Sequence, residues 1–224
     1  MKITIPTSLN EIKLHQYQAF LKVSAIEGQT EDFLKHKMIQ IFCDVSLKIV
    51  MLMSFKDVEE ISGKIGSLFT DKNKLINRFK LNGVDYGFVP NLDNITSGEL
   101  IDLDAYISDW QKMHQAMAVL FRPITKSFSD RYLIEKYEGS DKYSEVLKDM
   151  PLDVALGAMV FFWDLGKDLV SSTMSYLAEN PEVANIVNKH NLENAGDGTL
   201  LSMEQLKETF SDLMKSQNYQ YTSF

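Results

Sequence analysis

Apolar and polar positions alternate most sharply over residues 77–88, N-R-F-K-L-N-G-V-D-Y-G-F, on both sides of an Asn82-Gly83 pair. Period-two alternation flanking Asn-Gly predicts a two-residue β-hairpin, because both turn positions need positive φ. That loop sets Leu81 opposite Val84, Phe79 opposite Tyr86 and Asn77 opposite Phe88, with the five apolar side chains on one face. An isolated hairpin is marginal in water, so the face must pack on something larger, which the helices are expected to supply. Ile3-Thr4-Ile5 alternates and stops at Pro6, predicting a short strand beside the hairpin, and residues 132–134 predict another.

Elsewhere the apolar period is helical. Ser8-Leu9-Asn10-Glu11 and Thr96-Ser97-Gly98-Glu99 both fit a reciprocal capping box, in which the hydroxyl and the carboxylate each meet an orphan backbone donor. Thr30 and Ser54 open two further helices, the second carrying Val58, Ile61 and Ile65 inward, with Gly63 and Gly66 read as marking close packing. One long helix is expected over 100–121, closed by Arg122-Pro123, and a brief one over 143–149. Pro151 opens the most apolar helix, over 151–178. Leu156, Met159, Phe162, Trp163 and Trp110 are expected to be largely buried, since their helices are too apolar to face water on all sides.

These elements describe a mainly α fold with a small antiparallel β-sheet (α+β): a helix-rich globular domain over 1–180, of about six helices, carrying the hairpin at 77–88. Composition shifts at Asn180-Pro181, and Asn194 to Thr199 reads as a linker. Ser202-Met203-Glu204-Gln205 then caps a short helix with Met203, Leu206, Phe210 and Leu213 on one stripe. Residues 181–224 are thus a C-terminal helical appendage. Its stripe either folds back on its own domain or lies in a partner's groove, and the four side chains are candidate partner-binding anchors.

Charge narrows the function classes. The 224-residue chain carries a net charge of −8, which argues against a nonspecific nucleic-acid binder. Between Lys80 and Lys112 there is no basic residue, while Asp85, Asp93, Glu99, Asp102, Asp104 and Asp109 fall inside. Part of that acidity serves the helix start, where carboxylates are favoured. The remainder is either a solvated face or a docking surface for a basic partner, with Asp93, Glu99, Asp102 and Asp104 as its candidates. The single cysteine, Cys43, sits in an apolar run and reads as a buried structural thiol in a reducing compartment. The longest apolar run, nine residues, is too short to span a bilayer. No phosphate-binding loop, nucleophile elbow or zinc-ligand spacing is present, and neither a metal nor a cofactor is expected. The pairs Glu99/Asp102 and Asp102/Asp104 could be drawn as catalytic carboxylates, but any acidic helix start supplies such pairs.

Several stretches carry a family pattern: L-x-x-Y-Q-x-F-L from Leu14, a helix ending I-x-I-F-C at Cys43, and F-x-L-N-G-V-x-Y-G-F-V-P-N-L-D from Phe79. I-T-x-G-E-x-I-D-L-D follows from Ile95, then A-M-A-V-L-F-R-P from Ala116, Y-L-I-E-x-Y-E-G from Tyr132, and the run from Met150-Pro151-Leu152 to Phe161-Phe162-Trp163. Over roughly residues 3–177 the chain resembles small proteins encoded among the virion and tail genes of tailed bacteriophages, described as tail-assembly-chaperone-like. The resemblance implies a non-enzymatic assembly protein acting by protein–protein contact, as a chaperone or as a connector subunit. It implies phage tail or structural proteins as partners, with a homo-oligomer compatible, no direct nucleic-acid or membrane contact, and the host cytoplasm or the virion as its place. The other class is a host-directed or metabolic phage protein, an enzyme with an unrecognised acidic site.

Overall fold

Asn82 and Gly83 make the hairpin turn. In the computed structural model, which describes residues 3–70, 73–129 and 131–180, they take φ of 50° and 82° and join β1 (Arg78–Leu81) to β2 (Val84–Phe88). The register is the expected one, Phe79 against Tyr86 and Leu81 against Val84. The Phe88 amide also donates to the Asn77 carbonyl at 2.9 Å.

A third strand, as well as helices, packs against this hairpin. β3 (Phe121–Phe128) runs antiparallel to β2, with Phe121 opposite Phe88 and Pro123 opposite Tyr86, and it pairs in turn with β4 (Arg131–Ile134). The four-stranded order is β1-β2-β3-β4. The Phe121 ring meets Phe79 and Phe88 edge-on at 5.4 and 5.3 Å, and Tyr86 meets Tyr143 of α7 (Asp141–Leu147) at 6.0 Å. Tyr86 and Phe88 are buried and Val84, at the tip, is exposed.

β3 corrects the expected helix over 100–121. That stretch is α5 (Ser97–Ile107), a 3-10 turn at Trp110–Lys112, and α6 (Met113–Leu120). Asp109 breaks it, since its backbone is extended and its side chain accepts the Gln111 amide at 2.8 Å. Phe121, expected as the end of a helix, is the first residue of the strand. Residues 116–121 are all buried, and a continuous apolar run does not separate a buried helix from a buried strand.

Three more helices build the first layer: α1 (Leu14–Ser24), α2 (Glu31–Phe42) and, after the short α3 (Leu47–Val50), α4 (Phe55–Ser67). Their aromatic side chains interlock. Phe20 meets Phe42 at 5.3 Å, Phe42 meets Phe69 at 6.0 Å, and Tyr17 stands edge-on to Trp110 at 5.1 Å. The buried Gln18 side-chain amide donates to the Trp110 backbone carbonyl at 2.8 Å, and the Gln18 main-chain carbonyl accepts from the Gln111 side-chain amide at 3.0 Å. Thr30 and Ser54 cap α2 and α4 as expected. Cys43 is buried, and burial pushes its thiol up to about 11, which suits a structural role.

α8 (Leu152–Glu179) buries Leu152, Ala155 and Leu156 in its first turns, while the short α6, not α8 as expected, is the more apolar helix. Residues Met1–Ala158 form one compact unit; the second begins at Met159, and its described part is the remainder of α8. Met159 is buried, but Trp110, Phe162 and Trp163 are only half-buried, less than expected.

Two further expectations change. Ile3-Thr4-Ile5 forms no strand; the N-terminal pairing is instead an isolated bridge between Lys13 and Pro151. Gly63 and Gly66 do not mark close packing, since open space surrounds a Cβ at either position. The close approach is at Gly157, where a Cβ would collide with the Lys74 carbonyl, and at Gly87, where it would collide with the Tyr132 ring. Residues 181–224 lie outside the described residues, and with them the expected appendage and its boundary.

Candidate functional site

The acidic stretch is built around the first turn of α5. The Thr96 hydroxyl accepts the Glu99 amide at 3.3 Å, and Glu99 Oε2 accepts the Thr96 amide at 2.7 Å, completing the expected capping box. The Thr96 hydroxyl also donates to the same carboxylate oxygen at 2.7 Å. Glu99 therefore turns back along the helix axis and is only 4% exposed.

Its other oxygen, Oε1, lies 2.6 Å from Nη1 of Arg122, itself 6% exposed, so β3 meets α5 through a buried ion pair. The guanidinium does not present an aligned fork: neither Nε nor Nη1 has a hydrogen-bond acceptor in line, and the contact is held by charge. Arg122 also lies over the Tyr137 ring at 5.5 Å, and the Tyr137 hydroxyl donates to Asp102, one turn along α5.

Burial pushes the Glu99 carboxyl up, but the Thr96 bonds and the Arg122 charge together outweigh it and hold the group below the usual carboxylate range. Burial first, and then the Asp102 carboxylate, raise the Tyr137 hydroxyl above its ordinary value. Glu99 thus anchors an arginine inside the fold, and Asp102 accepts from a tyrosine.

The four acidic candidates therefore separate. Glu99 is buried, Asp102 is half-buried under Tyr137, and Asp93 and Asp104 are exposed. Asp93 sits in a 3-10 turn at Leu92–Asn94, where its amide donates to the Asn91 side chain at 2.9 Å. Met203, Leu206, Phe210 and Leu213 lie outside the described residues.

Reading acidity alone missed what shares the outer face of α5. Leu100 and Ile101 are 55% and 68% exposed, beside Asp104 and Ala105. The phase of the helix carried that information: once Glu99 and Leu103 point inward, Leu100, Ile101 and Asp104 must point out. A second exposed apolar group, Met51, Leu52 and Phe55, stands at the junction of α3 and α4.

Among the described residues no helix is long and apolar enough to cross a membrane, and no three His, Cys, Asp or Glu side chains group as metal ligands. No protein-family model, curated protein or solved structure matches the chain. The likeness to phage tail-gene proteins rests on the sequence motifs alone.

Proposed function

We propose that this chain is an assembly protein of a tailed bacteriophage that works by protein–protein contact, as a chaperone of a tail component or as a connector-type subunit, without catalysis. The observation that supports it is the outer face of α5. Two large aliphatic side chains, Leu100 and Ile101, stand exposed beside Asp104 on a helix whose start is fixed by its capping box and by Arg122. A rigid apolar patch with an acidic rim suits docking to an apolar, basic surface: the aliphatic pair supplies affinity and the carboxylates raise the association rate. The stripe Met203, Leu206, Phe210 and Leu213 is the second contact in this proposal. The place of action is the host cytoplasm during assembly, and the virion for a connector.

Cross-linking mass spectrometry of infected cells, with peptide analysis of purified virions, tests the reading. The expected result is cross-links from residues near α5 to an identified phage tail or head protein. L100E/I101E should abolish them while leaving circular dichroism and melting unchanged. Deleting 199–224 should also abolish them and leave the 1–180 domain folded. Cross-links that survive both changes, or that reach no phage structural protein, would overturn the proposal. Recovery of the chain in virions distinguishes a subunit from a chaperone.

A further inference from the structure

The β-sheet divides. Pairing between β2 and β3 runs only from Phe88↔Phe121 to Tyr86↔Pro123. Pro123 has no amide hydrogen to extend the ladder, and an irregularity between Ile124 and Lys126 turns β3 toward β4. Beyond this point the two hairpins separate and leave an open groove of about 500 Å³. Its lining includes Arg78, Lys80 and Lys126 against one carboxylate, Asp85, with Ile124 as its apolar side chain on that face.

This is a local surplus of two positive charges on a chain of net charge −8. Asp85 answers Lys80 only loosely, at 3.7 Å. Arg78 makes the most contacts of the three. Its guanidinium lies over the Tyr132 ring at 4.5 Å, and Nη1 donates to the Ser127 hydroxyl at 3.3 Å. Tyr132 is itself fixed, since its ring fills the space beside Gly87 and its hydroxyl donates to the Phe88 carbonyl at 2.7 Å. Arg78 is therefore held at the groove with guanidinium donors to spare, and a planar fork of this kind suits a carboxylate. Arg78 and Lys80 are two residues apart on one strand, a spacing of roughly 7 Å on one face. Carboxylates two residues apart on an extended chain have the same repeat.

We propose that the groove between the two hairpins binds an extended acidic segment of a partner protein, with Arg78, Lys80 and Lys126 each facing a carboxylate. Charge complementarity identifies the occupant, and the side chains between the acids, on the other face of the extended segment, point away from the groove. The site is separate from the outer face of α5 and opposite to it in sign, so it stands or falls independently of the assembly proposal.

Fluorescence anisotropy on the full chain at low salt tests it, using a fluorescein-labelled decapeptide of alternating Glu and Val as probe. Saturable binding is expected, with no binding of the alternating Lys and Val peptide. K126E and R78E should each weaken binding at least about tenfold, and K64E, on the exposed side of α4, should leave it unchanged. Because Arg78 supports Tyr132, K126E and K80E carry the test should R78E fold poorly. The proposal is overturned by an acidic peptide that does not bind, by binding that survives K126E and K80E together, or by displacement of the peptide by a ten-nucleotide uridine RNA or inorganic phosphate at lower concentration than by unlabelled peptide.

Discussion

Two stretches of this chain have the same local sequence grammar and fold differently. Thr96-Ser97-Gly98-Glu99 forms a complete capping box and opens α5. Ser8-Leu9-Asn10-Glu11 forms only a three-residue 3-10 turn in which the Ser8 hydroxyl makes no capping bond. There Glu11 accepts from the Thr7 amide and hydroxyl at 2.7 and 3.1 Å, one residue before the expected partner.

The difference lies in the tertiary partners that each box meets. The Leu152 amide donates to the Ile12 carbonyl at 2.8 Å, and the Leu14 amide donates to the Met150 carbonyl at 3.0 Å. These bonds, with the Lys13–Pro151 bridge, hold residues 12–13 extended, and α1 starts at Leu14 instead, where the Gln16 side chain accepts the Lys13 amide at 2.9 Å. At Glu99 the tertiary partner acts in the other direction, because Arg122 engages the capping carboxylate from behind and reinforces the helix start. A capping signature is an offer of two hydrogen bonds worth about 1 kcal/mol, which nearby backbone pairing can override.

The largest effect should come from removing the reinforcement. Arg122→Met leaves Glu99 buried without its counter-charge and should cost about 3–5 kcal/mol in urea unfolding. A loss below about 1 kcal/mol would mean that the cap alone explains the stability of α5. Thr96→Ala deletes the hydroxyl that both accepts and donates, and should cost about 1–2 kcal/mol by the same measurement.

The pH dependence sharpens the same contrast. The folded Glu99 carboxyl is held below its unfolded value, so its stabilisation is present above pH of about 4.5 and is lost as pH falls through the folded value. Unfolding free energies from pH 7 to pH 3 should therefore fall less steeply for Glu99→Gln than for the wild type. Equal slopes would remove Glu99 as the source. Smallest of all, Ser8→Ala should change stability by less than about 0.5 kcal/mol, because its hydroxyl makes no capping bond. A loss as large as that at Thr96 would make the two boxes equivalent after all.

The sequence was legible where a local signal and its tertiary surroundings agree. Asn82-Gly83 tolerates the positive φ a two-residue turn needs and alternating strands flank it, so the hairpin and its register could be read directly. β3 could not, because Ala116 to Phe121 are buried without a period, and the change from helix to strand at Phe121 depends on β2 lying alongside. The site was legible in half. Acidity pointed to α5, yet which carboxylates face water depended on Arg122 and Tyr137, 23 and 35 residues away along the chain from the acids they bind. The basic groove gave no signal, because Arg78, Lys80 and Lys126 come together only through the sheet.

Gly157 has a consequence for how much exchange the chain tolerates. Residue 157 lies inside a helix, where glycine is about 1 kcal/mol less favourable than alanine. That disadvantage is outweighed because the Lys74 backbone crosses where a Cβ would stand. In a saturation mutagenesis screen for folded protein, position 157 should accept a single amino acid. Gly63 and Gly66, equally helical but facing open space, should accept many and gain from alanine.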